Sequence, residues 1–279
     1  MKRSVSIKFM WADLPWPERV RRAAEAGFDR VELWDWREPD DIDELGSVAR
    51  ECGIEIAGFF GHHRGGVANP DELELVLGAL QEAVEVAERV GADQLHIFSD
   101  GMRRPEGHVT KPPPLTRDER HLAGVEGLRE CLKLVRGKPM RLCVESINTV
   151  HVPGYFLEDS DMSVALCREV SDPQVTMFFD CFHQQLVGGR LTDHLLHALP
   201  YVSSVHIADV PGRHQPGSGE INFHYIRRLL ERVGYDEQLT FEVIPVDGDS
   251  AAAVEAIKAV FPFEAADSSA LETVQAEER

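Results

Sequence analysis

RLCVESINTVHVPGYFLEDSDMSVALCREVSDPQVTMFFD, residues 141–180, holds one complete strand–loop–helix–strand unit. RLCVE is a short β-type run that ends on Glu145, and loop residues follow it. Apolar residues at helical spacing then cover 160–171, and VTMFFD forms a second run that closes on Asp180. The arrangement recurs downstream, where VSSVH closes on His206 and QLTFE on Glu242. The four polar side chains therefore follow one another at intervals of 35, 26 and 36 residues. Strands that alternate with helices in this way predict βαβ units and a parallel sheet.

Upstream, strand-like runs occupy 4–10, 30–34, 55–60 and 94–98. Helical spacing covers 17–27, 40–52, 70–91, 117–136, 189–199, 222–233 and 250–260. Eight alternations predict an α/β fold, a single-domain (β/α)8 TIM barrel over residues 1–262. A doubly wound open sheet is the alternative, but it offers no reason for four late strand ends to meet. Gly27, Gly53, Gly91 and Gly234 sit just past helical runs, where a helix-stopping glycine belongs. Residues 263–279 are small, polar and acidic, and predict a disordered tail.

Composition narrows the function. The chain has 279 residues, 43% of them hydrophobic, enough for a large core. Its 29 basic against 48 acidic residues leave a net charge of −19, which disfavours nucleic acid or an anionic membrane as partner. MKRSVSIKFMW lacks a continuous apolar segment, and no run approaches about 18 apolar residues, so a soluble cytoplasmic protein is expected. Five cysteines without C-x-x-C spacing read as buried reduced thiols.

Strand parity tests whether the four polar residues can share one face. Cys143 with Glu145, Phe178 with Asp180, Ser204 with His206 and Thr240 with Glu242 each point the same way. The members two residues back are apolar or small, as a barrel interior requires, so the polar four stand at the mouth. Clustered buried carboxylates repel unless a cation or protons neutralise them. Glu145, Asp180, His206 and Glu242 are therefore expected to ligate one divalent cation, their oxygens and imidazole suiting Mn²⁺, Mg²⁺, Co²⁺ or Zn²⁺. A cation chelated by a carbonyl and the neighbouring hydroxyl acidifies the intervening C–H. One glutamate can take that proton while the enediolate is held, and the other can return it. Return to the adjacent carbon is isomerisation; return to the opposite face of the same carbon is epimerisation.

His183 and Arg213 fall in strand-to-helix loops on the same face and are expected to hold substrate oxygens, Arg213 in a bidentate way. The competing readings are a packed loop histidine and a salt bridge from Arg213 to Asp209 or Glu220. PGSGEIN (216–222) reads mainly as the turn entering the seventh helix, since G-x-G alone is weak support for a phosphate cradle. His62, with His63, Trp11, Trp34 and Trp36, lies near early strand ends and is assigned to the rim of a sugar-like ligand, loop packing being the competing reading. The loop 99–116 carries Arg103, Arg104 and Lys111 and reads as solvated, with a lid over an anionic substrate as the alternative.

These residues resemble a known family. VESINTVHVPGYFL (144–157), FDCFHQQLVGGRL (179–191), HIADVPGRHQPGSGEIN (206–222) and FEVIP (241–245) are similar to the xylose-isomerase-like TIM-barrel superfamily, and within it to the hydroxypyruvate isomerase branch. The likeness is carried by residues 140–260; the first half shares only the rhythm. It implies Mn²⁺, with Mg²⁺ or Co²⁺ as alternatives, held by Glu145, Asp180, His206 and Glu242, with the two glutamates as acid and base. It also implies substrate contacts from His183 and Arg213, and isomerisation of a small sugar or hydroxy-oxo acid through a cis-enediolate. The chain departs from the branch at His206, which the ketose 3-epimerases share where hydroxypyruvate isomerases carry Gln, and at EVIP, where E-Y-[RK]-P is expected. A ketose 3-epimerase and an inosose-dehydratase-like lyase are thus alternatives on the same site. A further alternative is a barrel subunit of a larger assembly, such as a C-glycoside-cleaving enzyme with a small partner; homo-oligomers also occur in the family. An abasic-site endonuclease shares the barrel but needs a basic groove.

Overall fold

The computed structural model describes residues 1–103, 108–109 and 112–263. Eight parallel strands form a closed barrel: β1 (Lys2–Ser6), β2 (Arg30–Glu32), β3 (Glu55–Phe60), β4 (Gln94–Ile97), β5 (Arg141–Glu145), β6 (Val175–Asp180), β7 (Val202–Ile207) and β8 (Gln238–Phe241). Each pairs with its chain neighbour, and β8 closes the ring on β1 through Lys2 opposite Gln238 and Val5 opposite Phe241. The expected TIM barrel is what forms. Among the described residues no helix is long and apolar enough to cross a membrane.

The surrounding helices are bounded by local chemistry. Asp41 caps Ile42–Cys52 by accepting from the N–H groups of Asp43 and Glu44, and Gly53 ends it at φ 68°, a conformation that disfavours any side chain. Thr116 and Glu119 form a reciprocal capping box at the start of Arg117–Val135. All five cysteines are free, four of them buried, and burial pushes the Cys131 thiol up to about 12.

The structure departs from the sequence expectations in three places. The first strand is Lys2–Ser6 rather than 4–10, because the chain turns from Ile7 onward and Arg19 binds the turn's carbonyls at Ile7 and Ala12. A helix not expected, Cys181–Val187, starts directly after β6, with Asp180 accepting from the N–H groups of Phe182 and His183. Phe263, placed in the tail by sequence, belongs to the barrel. Its ring packs 5.0 Å from that of Phe28, and its carbonyl accepts from Arg3. Residues 264–279 lie outside the described residues.

The lumen is layered. Cys143, Phe178, Ser204 and Thr240 are buried one step below the mouth, as parity requires. The next layer down is polar. Arg30 donates to Gln238 Oε1 at 2.7 Å, and Gln238 Nε2 donates to Thr240 Oγ1 at 2.8 Å and Gln94 Oε1 at 3.2 Å. These bonds, with the ion pair from Arg30 Nη2 to Asp93 at 2.6 Å, offset much of the cost of a polar layer there.

Candidate active site

The C-terminal ends of the strands open into a cavity of about 420 Å³ whose floor includes Glu145, His206 and Glu242. The expected ligands stand at or next to the C-terminal ends of their strands, and all are buried: Glu145 4% exposed, Asp180 5%, His206 2% and Glu242 4%. Phe60, Phe98, Ile147 and Val152 form an apolar wall around this polar floor. A larger cleft of about 690 Å³ lies at the opposite end, between the starts of β5, β6 and β7. In this fold that end serves stability.

Two further titratable groups join from the first half of the chain. Glu32, at the end of β2, places Oε2 3.6 Å from His206 Nε2, and His96, on β4, places Nε2 3.1 Å from Glu145 Oε2. Trp34 Nε1 donates to Glu242 Oε1 at 2.6 Å. Sequence reasoning missed Glu32 and His96. The available signal was parity: Glu32 shares a face with Arg30 and Trp34 on a run already read as a strand.

Six of the buried acidic and imidazole groups fall into two sets of three, Glu32 with His206 and Glu242, and Glu145 with Asp180 and His183. Within each set one donor atom per residue lies within 4.8 Å of the others. The expected four do not form one such set, because Arg213 stands among them. Its Nη2 lies 2.7 Å from Glu242 Oε2 and 3.0 Å from Asp180 Oδ2. Arg213 thus binds neither Asp209 nor Glu220, and its guanidinium neutralises part of the carboxylate cluster.

Asp209 explains how Arg213 reaches this position. Fully buried, it accepts from the N–H groups of Val210 and Ile221 on one oxygen and from those of Gly217 and Gly219 on the other, at 2.9–3.0 Å. The glycines of PGSGEIN therefore cradle an anion of the protein itself. Gly219 is required, since a Cβ there would come 2.0 Å from the Val210 carbonyl. The folded loop holds Arg213 at φ 59° and receives the Ile244 N–H on the Arg213 carbonyl at 2.7 Å.

Charge is unevenly shared. Burial works against the His206 imidazolium, but the carboxylates of Glu32, Glu242 and Glu145 outweigh it and raise its pKa to about 10. Burial raises Glu145 well above the usual carboxylate range, with Asp180 and Glu242 adding to the effect. Glu32 is raised by burial to about 7. Glu242 goes the other way: burial would raise it, but Arg213 and His206 hold it below the ordinary range.

His183 and His62 have different fates. His183 lines the cavity, its Nδ1 taking Asn148 Nδ2 at 2.6 Å and its Nε2 lying 3.2 Å from Arg213 Nη1. Burial lowers its pKa to about 4. His62, expected at the rim, is instead a packed loop residue. Its Nε2 accepts from Phe98 N–H at 2.9 Å and its Nδ1 faces the Arg64 carbonyl at 3.1 Å, so both nitrogens serve the backbone. Of the loop 99–116, Met102 reaches the cavity, while Arg104, Lys111 and the side chain of Arg103 lie outside the described residues.

A family described as xylose isomerase-like TIM barrel matches residues 20–260. The chain belongs to that family. Among its relatives, a putative hydroxypyruvate isomerase of Danio rerio is 30% identical over 269 residues, covering 91% of this chain and 94% of that one. A 2-oxo-tetronate isomerase of Cupriavidus necator is 30% identical over 188 residues, 67% of this chain and 69% of that one. Among solved structures of the fold, a 3-keto-D-glucoside 4-epimerase from E. coli superposes with a TM-score of 0.78 at 20% identity, covering 94% of this chain and 99% of that one.

Proposed function

We propose that the protein is a divalent-metal-dependent isomerase of a small sugar or hydroxy-oxo acid, hydroxypyruvate isomerase-like, with Glu145 and Glu242 as its acid–base pair. The coarser statement, that the chain is an isomerase or epimerase, follows from its relatives. The observation that carries the finer one is the disposition of the two glutamates. They come from β5 and from just beyond β8, and both reach one buried imidazole, His206 Nδ1, at 3.9 and 3.2 Å.

The residues present fit a divalent cation. Three carboxylates and an imidazole form an oxygen-rich donor set suited to Mn²⁺, and Glu145 Oε1 is buried with no hydrogen-bond partner among the described residues. Glu145, Asp180, His206 and Glu242 would hold the ion. When bound, it would polarise a carbonyl and acidify the adjacent C–H.

The chain's own residues support proton transfer there. Glu145 Oε2 faces His96, which leaves Oε1 without a hydrogen-bond partner among the described residues; Glu242 Oε1 takes Trp34, and its Oε2 lies on the cleft side, against Arg213 Nη2 and His206 Nδ1. Two oxygens from different walls can take a proton and return it. His183 and Arg213 stand beside them to hold substrate oxygens, and the apolar wall limits access of water to the intermediate. Epimerisation next to a ketose carbonyl is the second reading, favoured by the imidazole at 206.

The test is chelation of the purified protein, re-addition of Mn²⁺, and a panel of ketoses and hydroxy-oxo acids followed by NMR in D₂O. Metal-restored turnover with solvent deuterium at the carbon beside the carbonyl is expected. Full turnover after exhaustive chelation, or loss of water from the substrate, overturns the isomerase reading.

A further inference from the structure

His206 is clamped. The ring of Phe178 stacks on it at 4.6 Å and 28°, so the imidazole plane is set by packing below the mouth. Within that plane the two nitrogens look in different directions. Nδ1 faces Glu242 at 3.2 Å and Glu145 at 3.9 Å, two of the residues placed around the cation. Nε2 is buried, has no hydrogen-bond partner among the described residues, and finds the Glu32 carboxylate at 3.6 Å. Glu32 comes from β2, across the barrel from β7, and is 6% exposed.

We propose that Glu32 is a positioning residue for His206: its carboxylate accepts a hydrogen bond from Nε2–H and so leaves the Nδ1 lone pair directed at the metal site. The proposal rests on the metal-dependent reading above. One imidazole cannot offer both nitrogens to one ion, so Nδ1, with two carboxylates beside it, is the coordinating atom and Nε2 carries the hydrogen. A carboxylate behind a ligating histidine fixes its tautomer and orientation and raises its basicity. At 3.6 Å the carboxylate stands just beyond hydrogen-bond distance, and the proposal requires that gap to shorten. No atom of Glu32 is then a ligand, although it lies in one set with His206 and Glu242.

The experiment compares wild type, Glu32→Gln and Glu32→Ala. Mn²⁺ binding is measured by calorimetry, and the imidazole protons by NMR on ¹⁵N-histidine-labelled, Mg²⁺-loaded protein, with His206→Asn assigning the signal. Wild type is expected to bind Mn²⁺ and to show a slowly exchanging Nε2–H on His206. Glu32→Ala is expected to lose that signal and about 10–100-fold in Mn²⁺ affinity. Glu32→Gln, which keeps an acceptor, is expected to retain both largely. An Nδ1–H tautomer in loaded wild type overturns the proposal, as does unchanged Mn²⁺ affinity in a folded Glu32→Ala. If wild type takes up no Mn²⁺, the metal-dependent reading falls first and this proposal with it.

Discussion

Arg213 Nη2 lies 2.7 Å from Glu242 Oε2, a contact that joins the loop after β7 to the residue just beyond β8. The same nitrogen reaches Asp180 at 3.0 Å, and the arginine side chain is only 14% exposed. Removing it strands two buried carboxylates. Arg213→Ala should therefore cost about 3–5 kcal/mol of folding stability in metal-free protein, with Mn²⁺ recovering part of the loss. Urea denaturation with and without metal measures this, and a change under about 1 kcal/mol would mean that another group balances the cluster.

Glu145→Gln and Glu242→Gln keep side-chain volume but remove the proton-transfer group. Each should lower turnover by about 10²–10⁴-fold while the circular dichroism spectrum is unchanged. Wild-type rates in both variants, with metal bound, would show the two-glutamate mechanism to be wrong.

Asp209→Asn keeps the shape but can accept on only one oxygen. Either the Val210 and Ile221 pair or the Gly217 and Gly219 pair of N–H groups then loses its partner. An expected loss of about 2–4 kcal/mol, with faster proteolysis within 210–222, would accompany a drop in kcat/KM as Arg213 loosens. Unaltered proteolysis would contradict the anchoring role of this carboxylate.

Asp29 offers a pH test away from the site. Burial opposes its ionisation, yet hydrogen bonds from the Arg3 backbone and guanidinium, at 2.8 and 2.9 Å, hold its pKa below the ordinary value. A carboxylate so depressed stabilises the fold above about pH 4 and loses that contribution as pH falls through its folded value. Asp29→Asn should therefore melt lower than wild type at pH 7, by the equivalent of about 0.5 kcal/mol for a partly exposed pair, and the two should converge as acidification takes the pH below the folded value of Asp29. A difference that does not shrink on acidification would assign the effect to packing.

Much of the site was legible because it is written in short-range pattern. Glu145, Asp180, His206 and Glu242 each close a run whose period of two fixes which face they share, so their convergence followed once the strands were counted. His62 misled because a histidine next to a strand end carries no local sign of its partners; only the folded chain shows Phe98 and Arg64 taking both nitrogens. Asp180 was legible as a strand-end carboxylate but not as a helix cap, since Cys181–Val187 is shorter than the periodicity needs to be recognised.

By itself the sequence determined the barrel, its strand order and the inward face of each late strand. Those depend on alternation, spacing and turn residues, all local. Tertiary structure decided the rest: that Trp34 binds Glu242 across 208 positions of chain, that His96 meets Glu145, that Glu32 stands behind His206, and that Arg213 spends its charge on Asp180 and Glu242. The reason is physical. Closing the ring sets β4 beside β5 and brings the ends of β2 and β7 to one mouth, and burial there forces every charge to find its partner among side chains that no local pattern links.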